Sequence, residues 1–123
     1  MEKICLDTDV VFDFLKGEKS IVEKLRYYSA REEICVSSLT LFEIMTTIKK
    51  QEVVFSFVNS LNILDFDKKS ATIAARIFDE LEEKGMKVTM ENMVTAAVCI
   101  KNNAFLFTKT RKKYEGIQGL KLV

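Results

Sequence analysis

The chain has 123 residues, of which 48% are hydrophobic and 30% are charged, and its formal net charge at pH 7 is +1. This length and apolar content fit one compact domain over residues 1–123, and the small net charge excludes attraction to nucleic acids or membranes by a strong overall field. The chain has no histidine, which excludes Ser-His-Asp triads, histidine general bases and histidine-ligated zinc. Catalysis would therefore use carboxylates, lysines, hydroxyls or a cation bound by carboxylates.

The cysteines and the N-terminal residues indicate the compartment. Three cysteines lie in separate apolar segments, which is typical of reduced core cysteines and not of a disulfide framework or a cysteine metal site. No apolar run approaches the ~18 residues that span a membrane. The first nine residues contain acidic side chains, where a signal peptide would be basic and then apolar. We expect a cytoplasmic protein with no membrane partner.

The first predicted unit is a strand followed by a helix. The apolar run over residues 4–6 predicts a buried strand that stops at Asp7. Apolar residues then recur at helical spacing and predict a helix over 9–16, which Asp9 would cap. A second amphipathic helix is predicted over 19–30. Acidic side chains therefore lie at the joint between the first strand and the first helix.

The middle of the chain continues the alternation of strands and helices. A strand is predicted over 34–36 and a helix over 39–50, with Leu41, Ile44, Met45 and Ile48 on one face. Residues 52–59 suit a strand by composition or a helix by spacing, and we favour the helix. A third strand is predicted over 63–66, and a long helix over 68–84 is capped by Asp67 and ended by Gly85. The apolar stripe predicted for that long helix is Ala71, Ala74, Ala75, Phe78 and Leu81.

The last third of the chain completes the pattern. A helix is predicted over 92–101, with small residues at 95–97, followed by a strand over 105–107, a basic loop over 109–114 and an edge strand over 120–122. Short apolar strands separated by helices, without hairpin signals, predict a three-layer α/β/α sandwich with a central, mainly parallel sheet. Right-handed crossovers would gather the polar residues that follow the strands at one edge, namely Asp7, Ser37, Asp67 and Thr108.

Acidic residues from distant parts of the chain would meet at this edge. Glu43 lies about one turn into a helix that follows a strand, and Glu91 and Asn92 open another helix. Carboxylates brought together repel, so they either take up protons or bind a cation. Oxygen ligands without histidine or cysteine favour Mg²⁺ or Mn²⁺, which can activate water and stabilise charge on a phosphodiester.

Structural explanations compete with each of these roles. Asp9 would cap a helix, Asp13 would lie on a solvated face, and Glu91 would be a favourable charge at a helix start. Thr40 and Glu43 have the spacing of a capping box. Residues 55–58 and the tyrosines at 27 and 28 fit the core, or a groove for a second copy or a protein partner.

One dense basic cluster follows the fourth predicted strand. Its cations would follow an RNA backbone, with Tyr114 stacking on a base, or would simply be solvated. The cluster consists of Lys109, Arg111, Lys112 and Lys113.

Several segments together resemble the PIN domains, and among them the VapC-like toxins of prokaryotic toxin–antitoxin pairs. The resemblance covers nearly the whole chain and rests on residues 6–17 (LDTDVVFDFLKG), 36–44 (VSSLTLFEI), 92–97 (NMVTAA), 107–110 (FTKT) and 117–122 (IQGLKL). It implies RNA cleavage with Mg²⁺ or Mn²⁺ held by acidic residues at the sheet edge. It also implies a homodimer that is neutralised by a cognate antitoxin.

The resemblance also implies roles for individual residues. Asp7 is the first acid and chief metal ligand, Glu43 is the second acid, and Thr8 steadies the site. Asp9, Ser37 and Thr108 are expected to support these residues. The third acid of the family falls on Asn92, and its fourth polar position falls on Thr110.

The neutral residue at position 92 leaves two hypotheses open. An amide keeps an oxygen ligand but removes a full charge, so cation binding is expected to be weaker unless Glu91 supplies the missing charge. In the first hypothesis the protein is an endoribonuclease whose metal site consists of Asp7, Glu43, Glu91 and Asn92. In the second it is a catalytically impaired PIN fold that acts as a protein- or RNA-binding module.

Overall fold

In the computed structural model, which describes residues 1–123, short strands alternate with helices. The strands are β1 (Lys3–Leu6), β2 (Glu33–Ser37), β3 (Asn62–Leu64), β4 (Phe105–Phe107) and β5 (Lys121–Leu122). The α-helices are α1 (Thr8–Leu15), α2 (Lys19–Ser29), α3 (Ser38–Thr47), α4 (Gln51–Asn59), α5 (Lys68–Glu83) and α6 (Met90–Lys101), and Arg111–Tyr114 forms a 3₁₀ helix. None of the helices combines the length and the apolar character that a bilayer crossing requires.

The five strands form one sheet in the order β3-β2-β1-β4-β5, and every neighbouring pair is parallel. The prediction of a parallel α/β/α sandwich is therefore confirmed. β1 lies in the middle, with Ile4 opposite Ile34 of β2 and Phe105 of β4. Because all strands run the same way, the residues that follow β1, β2 and β4 lie along one edge of the sheet.

An apolar core lies on each face of the sheet, because successive strand residues point to opposite sides. In β1, Cys5 belongs to the core on the side of α5 and α6, whereas Ile4 and Leu6 belong to the core on the side of α1 to α4. In β4, Leu106 belongs to the core on the side of α5 and α6, and Phe107 belongs to the opposite core. The cysteines are free and buried, as expected.

The apolar stripe predicted for α5 is partly right. Leu81 is buried and Ala74 packs against the core, but Ala71, Ala75 and Phe78 are exposed, so the buried face of the helix is rotated relative to that expectation. Its buried residues are Ser70, Ile77 and Leu81, while Phe78 is 49% exposed. Ile73 and Ile77 offer more apolar surface than the alanines of the predicted stripe, so burying their side of the helix is more favourable. Asp67 caps α5 as predicted, since its Oδ1 accepts a hydrogen bond from the Ser70 backbone amide at 2.9 Å.

Several boundaries differ from the predictions. α1 begins at Thr8 and its cap is Asp7, so the capping role predicted for Asp9 is wrong. β3 ends at Leu64, two residues early, and α6 begins at Met90 with Thr89 as its cap. Residues 111–114, predicted as part of a loop, form the 3₁₀ helix. Residues 51–59 are helical, which settles the ambiguous segment as predicted.

Some side chains predicted in the core are exposed instead. Phe55 of α4 is 61% exposed and Tyr27 of α2 is 56% exposed, while Phe57 is buried as predicted. In α3 the buried residues are Thr40 and Ile44. Met45, which was predicted on the same face as Ile44, is exposed. The outer faces of α3 and α4 therefore carry large apolar side chains in contact with solvent.

Candidate active site

A polar cleft of about 160 Å³ opens at the edge of the sheet where β1 and β4 end. It contains all four residues predicted as metal ligands and Lys113 of the basic cluster that was predicted to contact RNA. It also contains Thr95, which the sequence did not single out for the site. No apolar residue lines it. The lining residues are Asp7, Thr8, Asp9, Glu43, Glu91, Asn92, Thr95, Thr110 and Lys113.

Asp7 is the most tightly held side chain of the cleft. It is only 8% exposed, and as the cap of α1 its Oδ1 accepts a hydrogen bond from the Thr8 backbone amide at 2.9 Å. Its Oδ2 accepts hydrogen bonds from the hydroxyls of Thr108 and Tyr114, both at 2.8 Å. Three donors fix the carboxylate and leave one acceptor position of Oδ1 open.

Glu43 is held by a row of hydroxyl groups that runs from β2 to α1. Ser37 Oγ donates to Thr40 Oγ1 at 3.3 Å, Thr40 and Thr8 hydroxyls are 3.0 Å apart, and Thr8 donates to Glu43 Oε1 at 3.1 Å. Each hydroxyl has one proton, so Thr40 donates to Thr8 if Thr8 donates to Glu43. The row orients Glu43 towards the end of β1.

The capping box predicted from Thr40 and Glu43 is absent. Ser37 caps α3 instead, with its Oγ accepting a hydrogen bond from the Thr40 backbone amide at 3.1 Å. Glu43 is consequently free to contact Thr8 of the first helix, as the functional interpretation required.

Asp9 belongs to the cleft and is incompletely satisfied. Its Oδ2 accepts a hydrogen bond from the Lys109 backbone amide at 3.2 Å, whereas its Oδ1 is buried without a partner. Burial, and then the nearby charge of Asp7, raise the pKa of Asp9 above its usual value. An unpartnered buried carboxylate oxygen beside a second carboxylate is a favourable position for a cation.

The surroundings of Glu43 also favour the binding of a cation. Burial raises the pKa of Glu43, the hydrogen bond from Thr8 opposes this shift, and the charges of Glu91 and Asp7 reinforce it. The cleft thus concentrates negative charge, and its donors are oxygens, which are the ligands of Mg²⁺ and Mn²⁺. No three acidic side chains converge into a closed cage, so the donor chemistry fits a divalent cation but the ligand arrangement is open.

Asn92 and Tyr114 meet at the inner side of the cleft. The Tyr114 hydroxyl lies 3.2 Å from Asn92 Oδ1, and Tyr114 is only 3% exposed. Burial and the adjacent Asp7 charge raise the pKa of Tyr114 well above its ordinary value. The predicted stacking of Tyr114 on a base is therefore wrong.

The basic cluster is partly engaged within the chain. Lys109 forms an ion pair with Asp13, which the sequence placed on a solvated face, and Arg111 donates to the backbone carbonyl of Val123. Lys112 is exposed and Lys113 lines the cleft.

The remaining predicted edge residues divide between the cleft and its surroundings. Thr108 contacts Asp7, and Thr110 lies 3.2 Å from Thr108 and 3.4 Å from Asp9 Oδ2. Asp67 does not line the cleft, which corrects its predicted place at this edge. It caps α5, and its Oδ2 pairs with Lys101 at 2.9 Å.

Known proteins resemble this chain in sequence and in fold. A tRNA(fMet)-specific endonuclease VapC from Shigella flexneri is 26% identical over 98% of this chain and 96% of its own length. The VapBC2 structure from Rickettsia felis, bound to a promoter DNA fragment, matches with a TM-score of 0.88 and 26% identity, covering 98% of this chain and 97% of that one. A DNA-bound VapBC structure from Salmonella typhimurium matches with a TM-score of 0.88 and 27% identity, covering 100% and 98%.

The family assignment rests on a match that spans most of the chain. The sequence profile of the PIN domain matches residues 4–112, from the start of β1 into the 3₁₀ helix. This segment includes Asp7, Glu43 and Asn92, and it leaves out residues 1–3 and 113–123. The chain belongs to the PIN domain family.

Proposed function

We propose that this protein is a Mg²⁺- or Mn²⁺-dependent endoribonuclease and the toxin of a toxin–antitoxin pair. The observation that carries the proposal is the cleft in which Asp7 and Glu43, each fixed by hydroxyl donors, face the same space. Relatives that match nearly the whole chain are named VapC ribonucleases or endonucleases, which supports RNA as the substrate class.

The cation would be held chiefly by Asp7 and Glu43. Glu91 and the amide of Asn92 would complete its surroundings, and the unpartnered oxygen of Asp9 adds negative charge next to them. A bound Mg²⁺ or Mn²⁺ would supply activation of water and stabilisation of the charge that develops on the phosphodiester. Thr8 and Thr108 keep the two principal carboxylates in place without contributing charge.

The substrate would approach along the basic side of the cleft. Lys113 lines the cleft and Lys112 is exposed beside it, so both are placed to contact RNA phosphates. Lys109 and Arg111 are engaged with Asp13 and Val123 and would contact RNA only by giving up those partners. We assign the main phosphate contacts to Lys112 and Lys113.

A second candidate function is that of a binding module with impaired catalysis. The observation that favours it is the neutral Asn92 in a cleft where no three acids converge. A module of this kind would bind RNA or protein without cleaving RNA, and it would retain RNA binding in the absence of divalent cations.

We also propose a homodimer and an antitoxin partner, both in the cytoplasm. The similar VapBC structures support the antitoxin, and exposed apolar side chains on α3 and α4, such as Phe42 and Phe55, support contact with protein. The free buried cysteines suit a reducing compartment.

Cleavage of a structured RNA such as a tRNA tests the enzyme directly. Wild-type protein with Mn²⁺ should cut the RNA, and Asp7→Asn should lower the rate by at least ~100-fold, because it removes the charge that holds the cation. Asp79→Asn, on the exposed side of α5, is the matched control and should leave the rate unchanged. Equal rates in the wild type and Asp7→Asn, or no cleavage by either, would exclude the enzyme.

A further inference from the structure

Tyr114 joins the apolar core to the cleft. Its ring lies in the core cluster on the side of α5 and α6, together with residues such as Leu81 and Ala97. Its hydroxyl lies between two side chains of the cleft, 2.8 Å from Asp7 Oδ2 and 3.2 Å from Asn92 Oδ1. The hydroxyl therefore connects the N-cap of α1, Asp7, to Asn92 of α6.

The proton of this hydroxyl can go to only one partner. Asp7 is the shorter contact and carries a charge, and hydrogen bonds to charged acceptors are the stronger ones. Tyr114 therefore donates to Asp7, and its oxygen is left with acceptor capacity towards Asn92.

This assignment fixes which end of the Asn92 amide faces the ring. Two oxygens without a proton between them repel, whereas an amide nitrogen in the same place donates to the Tyr114 oxygen. The oxygen and nitrogen of an asparagine amide are distinguished by their hydrogen-bond partners. With the nitrogen towards Tyr114, the Asn92 carbonyl oxygen no longer faces the Tyr114 hydroxyl, and Asn92 lines the cleft.

We propose that Tyr114 is a positioning residue whose hydroxyl donates to Asp7 and accepts from the side-chain amide of Asn92, so that Asp7 Oδ1 and the Asn92 carbonyl oxygen are presented to a divalent cation. The proposal rests on the proposed function only for the cation. Its two hydrogen bonds exist in the metal-free protein and can be tested there.

The arrangement also explains how a neutral residue suits position 92. An aspartate there would bring a second carboxylate to a hydroxyl that has one proton, and that proton is already donated to Asp7. An asparagine instead donates to the Tyr114 oxygen, which also receives a hydrogen bond from the side chain of Thr95 and has room for two donors. Tyr114 and Asn92 therefore form a matched pair.

The first test compares Tyr114→Phe with wild type in metal-free protein. Phenylalanine keeps the ring in the core and removes only the hydroxyl. In nuclear magnetic resonance spectra, the Asn92 side-chain amide of the wild type should show one proton protected from solvent exchange, and this protection should be lost in Tyr114→Phe. Tyr28→Phe removes a hydroxyl outside the cleft and should leave the Asn92 signals unchanged. Identical Asn92 signals in wild type and Tyr114→Phe would overturn the proposal.

The second test measures Mn²⁺ affinity by calorimetric titration. Loss of the hydroxyl should weaken Mn²⁺ binding about tenfold, as is common when a group that orients a metal ligand is removed. Tyr28→Phe should bind Mn²⁺ like the wild type. Unchanged affinity in Tyr114→Phe would overturn the proposal. If the wild type bound no Mn²⁺, the proposed function would fail, and the amide protection in metal-free protein would still decide the role of Tyr114.

Discussion

At the scale of single residues, the cleft works through hydroxyl groups that hold charged ones. Asp7 receives three hydrogen bonds, and Glu43 receives one from Thr8. The acids themselves are destabilised in the ionised form, since burial and mutual repulsion raise the pKa values of Asp9 and Glu43. A divalent cation relieves that repulsion, and protons compete with it for the same oxygens.

Thr8→Val tests the hydroxyl that supports Glu43. The hydrogen bond from Thr8 lowers the pKa of Glu43, so its loss should raise that pKa further and favour the protonated form. Mn²⁺ binding should therefore weaken, and the weakening should grow as the pH falls, because more Glu43 is protonated in the variant at each acidic pH. Calorimetric titration at several pH values measures this effect. Thr72→Val, on the exposed side of α5, is the control. An equal effect at every pH would contradict the role of Thr8.

At the scale of elements, the N-termini of three helices lie close to these charged side chains. α1 and α6 begin at the cleft, with Asp7 and Thr89 as their caps, and α3 begins beside it at Ser38, with Ser37 as its cap. Helix N-termini carry partial positive charge and unpaired amide groups, which stabilise nearby anions. The helix starts therefore offset part of the repulsion among the carboxylates.

Ser37→Ala tests how much the cap of α3 contributes to the stability of the protein. Ser37 is fully buried, accepts from the Thr40 amide and donates to the Thr40 hydroxyl. Loss of this cap should reduce the free energy of unfolding by about 1 kcal/mol. Urea unfolding of metal-free protein measures the change. The control is Ser29→Ala at the exposed end of α2, which should change stability by less than about 0.5 kcal/mol. Equal costs for the two variants would show that Ser37 is not a significant cap.

At the scale of the whole molecule, the parallel sheet brings together residues from distant parts of the chain. Asp7 and Thr108 follow neighbouring strands, and Glu43 and Asn92 arrive on the helices α3 and α6. The sequence predicted this convergence because buried strands and acidic residues after them are local patterns. It also predicted the Asp67 cap, which depends only on neighbouring residues.

Other features depend on tertiary contacts and were not predictable in this way. The buried face of α5 is set by how Ile73 and Ile77 pack against α6, and the predicted alanine stripe had a similar helical spacing. The role of Tyr114 required knowing that residues 111–114 turn the ring into the core. The capping box predicted from Thr40 and Glu43 did not form, because Ser37 caps α3 and Glu43 contacts Thr8 of another helix.

The two lysines beside the cleft are expected to contact RNA phosphates, which predicts how RNA affinity depends on salt concentration. Lys112→Ala and Lys113→Ala should each lower the slope of log affinity against log salt by about 0.7, the value for one phosphate contact with a single strand. Binding is measured without divalent cations to prevent cleavage. Lys3→Ala, at the opposite end of β1 from Asp7, should leave the slope unchanged. Slopes that match the wild type in both cleft variants would exclude these phosphate contacts.

The most direct measurement of the central claim is the binding of Mn²⁺ to metal-free protein, followed by calorimetric titration and by the rise in melting temperature. The wild type should bind Mn²⁺ and melt at a higher temperature as the concentration of Mn²⁺ increases, because a ligand of the native state stabilises it by mass action. Asp7→Asn should lose both effects, while Asp79→Asn should retain them. No binding by the wild type, or equal binding by Asp7→Asn, would contradict a metal site at the end of β1.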